Sequence, residues 1–122
     1  MQFNHINISA PKEVLDIEKD FLCRIFRLTD GYRPKFSRDG YWLYTNEQAI
    51  IHLTESGHHK PTDKPSCLDH VAFSMTGLTA FVSRLEVNDV NFNVKFLPEL
   101  AITQVFFKSP AGVGLEVSFE ER

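Results

Sequence analysis

The segment Leu68-Asp69-His70-Val71-Ala72-Phe73-Ser74-Met75 alternates like a strand with one apolar face. Val71, Phe73 and Met75 fall on that face, and His70, Ala72 and Ser74 on the other. The chain opens on the same design. In Phe3-Asn4-His5-Ile6-Asn7-Ile8, Ile6 and Ile8 share one face while His5 and Asn7 share the other. Each of these strands is followed by a helix-like segment. A strand that carries a histidine opposite its apolar face, used twice, limits the chain to a duplicated module.

The order of elements supports this reading. After the first strand, Ser9-Ala10-Pro11 opens a helix, with Ser9 or Ala10 near the cap and Pro11 in the first turn. Val14, Ile17, Phe21, Leu22, Ile25 and Leu28 recur at helical spacing, and Asp30-Gly31 is the expected stop. Strands are expected at Tyr32 to Phe36, Tyr41 to Thr45 and Gln48 to Thr54, separated by turns at Arg38-Asp39-Gly40 and Asn46-Glu47. The second copy repeats the plan with a helix over Gly77 to Val87. Strands follow at Val90 to Phe96, Ala101 to Lys108 and Gly114 to Phe119, with a type I or II turn at Ser109-Pro110-Ala111-Gly112. The expected architecture is α+β, two paired βαβββ modules forming a curved mixed sheet around a metal-binding cleft. Module one covers 1–55, a polar linker 56–66, and module two 67–122, all within one domain.

The two copies also match in chemistry. His52 follows His5 by 47 positions, and Glu116 follows His70 by 46. Each copy thus carries one ionisable residue on its first strand and one on its last, opposite the apolar face. If the two sheets curl around a common cleft, His5, His52, His70 and Glu116 meet on its floor beside Asn7, Thr54, Ala72, Ser74 and Ser118. Three imidazoles and a carboxylate suit a divalent transition metal: zinc, nickel, iron, manganese or cobalt. His58 and His59 read as solvated residues of the linker, and Cys67, three positions before His70, lies outside the repeat.

Composition narrows the partners. A formal charge of −3 gives no basic face for nucleic acid. No apolar run reaches membrane-spanning length. A first strand beginning at Gln2 leaves no room for a secretory signal, and two cysteines, Cys23 and Cys67, read as free thiols. The expected location is cytoplasmic. Eleven Phe against one Trp make an aromatic-rich interior or pocket.

The chain resembles the vicinal oxygen chelate superfamily, which includes glyoxalase I, fosfomycin-resistance proteins, methylmalonyl-CoA epimerase, extradiol dioxygenases and bleomycin-resistance proteins. The resemblance spans essentially the whole chain. It rests on Asn4-His5-Ile6, Ala49-Ile50-Ile51-His52-Leu53, Leu68-Asp69-His70-Val71-Ala72-Phe73 and Ser109-Pro110-Ala111-Gly112-Val113-Gly114-Leu115-Glu116-Val117. It implies His5, His70 and Glu116 as metal ligands, a homodimer with sites completed across the subunit interface, and a small-molecule substrate chelated through vicinal oxygens. One position departs from the pattern. Where glyoxalase I typically has glutamate and the epimerase glutamine, this chain has His52, which would complete the metal shell or act as a base near neutral pH.

The leading expectation is a metal-dependent lyase, isomerase or transferase of the glyoxalase type. His52 and Glu116 are its candidate catalytic residues, and His5, His52, His70 and Glu116 its candidate ligands. The alternatives are an Fe(II)-dependent extradiol-type dioxygenase and a non-catalytic binding protein of the bleomycin-resistance type, using the Phe-rich interior and Trp42. Arg33, Lys35, Lys95 and Lys108 are candidates for a cationic rim, or simply solvated strand charges.

Overall fold

Period-two burial shapes both halves of the chain. The computed structural model describes residues 1–121. The chain divides into two compact units, Met1–Thr62 and Asp63–Arg122. Each is a βαβββ module built on its own four-stranded mixed sheet.

The first unit comprises β1 (Ile6–Ala10), α1 (Lys12–Phe26), β2 (Thr29–Gly31), β3 (Gly40–Thr45) and β4 (Gln48–Glu55). Its strand order is β1-β4-β3-β2, with β1 parallel to β4 and β3 antiparallel to it. Ile8, Ala10, Leu43, Ile51 and Leu53 are buried, so one face of every long strand is committed to the core. The helix α1 packs on these strands through Leu15, Phe21, Leu22 and Ile25. The turn between β3 and β4 has positive φ at both Asn46 and Glu47, as a two-residue type I′ hairpin requires.

The second unit comprises β5 (Val71–Ser74), α2 (Leu78–Val87), β6 (Phe92–Leu97), β7 (Ile102–Lys108) and β8 (Gly114–Phe119). Its order is β5-β8-β7-β6, again with a parallel first pair. Val105, Phe107, Leu115, Val117 and Phe119 are buried, and Phe81 of α2 meets the rings of Phe107 and Phe119 at centroid distances of 5.9 and 5.6 Å. The Ser109 carbonyl accepts from Gly112 N–H, and Ser109 N–H donates to Val113. Positive φ falls at Gly112 and not at Ala111, which excludes the type II turn and leaves type I.

Several local expectations are corrected. Pro11 is the N-cap of α1 rather than part of its first turn, because Ser9 and Ala10 are still paired in β1. The helix ends at Phe26, where Arg27 turns left-handed, and Asp30-Gly31 belongs to β2. The segment 32–36 is irregular: Pro34 has no N–H for a ladder, and Tyr32 and Phe36 are exposed. The buried stripe of α1 runs through Leu15, Glu18, Leu22 and Ile25, leaving Ile17 exposed. The strand expected from Val90 starts at Phe92. The linker is not uniformly solvated, since Ser56 is buried and donates its N–H to the Ala10 carbonyl. Among the described residues, no helix is long and apolar enough to cross a membrane.

Candidate functional site

Register explains the spacing of the repeated residues. In the first unit His52 pairs with Asn7, and His5 lies two residues before Asn7. In the second, Glu116 pairs with Ala72, and His70 lies two residues before Ala72. Each ionisable pair is therefore a diagonal neighbour on one face of a parallel β pair, within reach of long side chains. Both His5 and His70 stand one residue ahead of their strands, at the entry rather than inside.

In the first unit the result is a stack of rings. The imidazoles of His5 and His52 lie 3.6 Å apart at an interplanar angle of 9°. The indole of Trp42, which pairs with His52 across β3 and β4, covers the other side of His52 at 4.1 Å and 17°. His5 Nδ1 is 2.6 Å from the Asn4 side-chain oxygen, and His52 Nε2 is 3.1 Å from the Ala49 carbonyl. Both partners are acceptors, so in the neutral rings these nitrogens carry the proton. The lone pair then resides on Nε2 of His5 and Nδ1 of His52. Burial of His52, with the neighbouring His5 adding to it, lowers its pKa and favours the neutral ring. Asn7, expected on this face, accepts from Thr54 Oγ1 at 2.8 Å and donates to Ser9.

In the second unit the result is a charged pair. His70 Nε2 lies 3.3 Å from Glu116 Oε1, and His70 Nδ1 lies 2.9 Å from Asp69 Oδ2. Glu116 is buried, and its Oε2 accepts from Ser118 Oγ at 2.9 Å and Gln104 Nε2 at 3.2 Å. The hydrogen bond to Asp69, helped by the charge of Glu116, raises the His70 pKa. With a carboxylate at each ring nitrogen, the site favours a positive charge between His70 and Glu116, whether a proton or a cation. The close approach of β8 depends on Gly114. A Cβ there would meet the Asp69 carbonyl oxygen at 2.3 Å and His70 Cβ at 3.2 Å.

The structure thus brings His5 together with His52, and His70 together with Glu116. Among the described residues, no group of three or more His, Cys, Asp or Glu side chains is placed to hold a metal ion. Asp69, Gln104 and Ser118 around the second pair, and Trp42 against His52, were not assigned these contacts from sequence. Alternation places Trp42, Gln104 and Ser118 on the faces of the ionisable residues without naming their partners, and it puts Asp69 on the opposite face from its neighbour His70. Of the other candidates, His59 Nδ1 is 2.8 Å from Ser56 Oγ, and Cys67 is exposed. Arg33 donates to the Arg38 carbonyl and lies over Phe36, whereas Lys35, Lys95 and Lys108 are exposed.

No family model matches the sequence, and no curated protein matches it. Solved structures match in fold over nearly the whole chain. A protein described as belonging to the glyoxalase family, from Bacillus anthracis, superposes with a TM-score of 0.78 at 17% identity, covering 98% of this chain and 94% of its own. A glyoxylase/bleomycin resistance protein/dioxygenase domain from Frankia sp. EAN1pec gives 0.77 at 19% identity, covering 98% and 97%. The fosfomycin resistance protein FosX from Listeria monocytogenes, solved with Mn(II) and sulfate, gives 0.71 at 14% identity, covering 97% and 91%. The two βαβββ modules are thus the fold of the vicinal oxygen chelate proteins.

Proposed function

We propose that this protein is a metal-dependent enzyme of the glyoxalase type, acting on a small molecule through two adjacent oxygens. The proposed ligands are His5, His70 and Glu116. The observation that carries the reading is the second pair: His70 Nε2 and Glu116 Oε1 are 3.3 Å apart, and the other polar atom of each head group is already held. Donors that share one ion at about 2.0–2.2 Å each stand close to 3 Å apart when adjacent in its shell, so the pair fits a divalent metal. The donor chemistry agrees, since neutral imidazole and carboxylate suit zinc, iron, manganese, nickel and cobalt. Support for the wider reading comes from the shared fold and from FosX, whose structure contains Mn(II).

Bound there, the metal would supply Lewis-acid polarisation of a substrate oxygen. The residues of this chain prepare the donors. Asp69 accepts from His70 Nδ1, which sets the tautomer and leaves Nε2 as the donor atom. Gln104 and Ser118 hold Oε2 of Glu116 and leave Oε1 toward His70. Asn4 does for His5 what Asp69 does for His70. The homodimer implied by the resemblance belongs to the same proposal.

The test is elemental analysis of tag-free protein, as purified and after reconstitution with Mn(II), Ni(II), Zn(II) or Fe(II), beside His70→Ala and Glu116→Ala. About one equivalent of metal per chain in the parent, lost in both variants, is expected. No metal in the reconstituted parent overturns the reading.

A further inference from the structure

We infer that His52 is a positioning residue and not a fourth ligand: the stack of Trp42 on His52 on His5 clamps the His5 ring with its Nε2 edge open. This inference rests on the proposed role of His5 as a ligand. It answers the one position at which the sequence departs from its resemblance.

An imidazole nitrogen coordinates along its lone pair, which lies in the ring plane. His5 and His52 are parallel to within 9°, with centroids 3.6 Å apart. Rings in contact keep their planes about 3.5 Å apart. An ion on the His5 lone pair therefore lies about 3.5 Å out of the His52 plane, farther than an entire metal–nitrogen bond of about 2.0–2.1 Å. An ion midway between the planes would sit well off both lone pairs. The stacked rings cannot serve the same ion.

The same contacts suit a clamp. Trp42 and His52 are directly paired across antiparallel strands, so the indole rises beside the imidazole from a rigid ladder. The Ala49 carbonyl holds His52 Nε2 and fixes the ring about its own axis. His5 stands one residue outside β1 and has no ladder of its own at that point. Its ring orientation is set by the face of His52 and by Asn4 at Nδ1. What the clamp needs from residue 52 is a flat ring, not a nitrogen.

The experiment compares His52→Phe, His52→Ala and Trp42→Leu in the full chain. Metal stoichiometry, affinity by chelator competition and the absorption spectrum of the Co(II)-loaded protein are measured. For His52→Phe the parent stoichiometry and Co(II) spectrum are expected, with affinity within about threefold. For His52→Ala and Trp42→Leu the stoichiometry is retained and affinity falls about tenfold, in the range of lost outer contacts to a ligand. Loss of metal or an altered Co(II) spectrum in His52→Phe overturns the inference, because a flat ring at residue 52 would then not be sufficient. If the parent binds no metal, the reading of function fails on its own. The clamp is then judged in the metal-free protein by the NMR shifts of the His5 ring protons. An upfield ring-current shift lost in His52→Ala and kept in His52→Phe supports the clamp, and shifts unchanged in His52→Ala overturn it. Should His52→Ala not fold, His52→Phe and Trp42→Leu decide.

Discussion

His70 Nε2 faces Glu116 Oε1 at 3.3 Å, and Asp69, Gln104 and Ser118 engage the remaining polar atoms of the two head groups. The pair is a diagonal contact between parallel strands whose sequence positions differ by 46. The buried carboxylate is fixed by two donors from its own sheet, one on β7 and one two residues along β8. A third partner, the imidazole, comes from the entry to β5.

Removing the shorter of the two Oε2 bonds tests that support. Ser118→Ala should weaken metal affinity about tenfold, because an unfastened Glu116 must be ordered when the ion binds. Stability of the metal-free protein should fall by about 1 kcal/mol, the usual worth of one hydrogen bond. Chelator competition and urea unfolding measure the two effects. Unchanged affinity would show that Gln104 alone suffices.

Gly114→Ala should be costly out of proportion to one methyl group. The added Cβ would sit 2.3 Å from the Asp69 carbonyl oxygen, a backbone atom that cannot turn aside. Either β8 withdraws or the Asp69-His70 segment moves, so the His70–Glu116 contact opens. Overpacking of this kind costs about 1–3 kcal/mol. A lower urea midpoint together with reduced metal binding is expected, and wild-type values for both would contradict the close approach.

Tyr41 should ionise only at strongly alkaline pH. Its hydroxyl donates to Asp16, and that bond pushes its pKa up to about 12 from 10. Because the folded value is the higher one, the contribution of Tyr41 to stability is complete below pH 10 and is lost as pH rises through about 12. The same bond lowers the Asp16 pKa, so the contribution of Asp16 is present above 3.8 and fades as pH falls through the folded value. Titration of the tyrosinate absorbance band should lose its step near pH 12 in Tyr41→Phe. Persistence of that step would reassign it.

Much of the framework was legible because it depends on period-two burial alone. Ile51 and Leu53, or Leu115, Val117 and Phe119, name their faces without reference to any other strand, and all are buried. The repeat placed His5, His52, His70 and Glu116 opposite those faces. The helix was less legible. Val14 and Ile17 keep helical spacing with Phe21 as well as Leu15 does with Leu22, and only docking against the sheet buried Leu15 and Glu18 and exposed Ile17. At 32–36, apolar residues flank a proline whose missing N–H outweighs their strand propensity.

By itself, then, the sequence determined two strand–helix–strand–strand–strand modules and the face on which each ionisable residue lies, since both follow from local periodicity. Tertiary structure alone decided that His52 lies flat between His5 and Trp42, and that Glu116 is fastened by Gln104 and Ser118. Those contacts depend on the register between strands and on the orientation of each ring. Both are settled only when strands distant in the chain pair and their side chains compete for the same space.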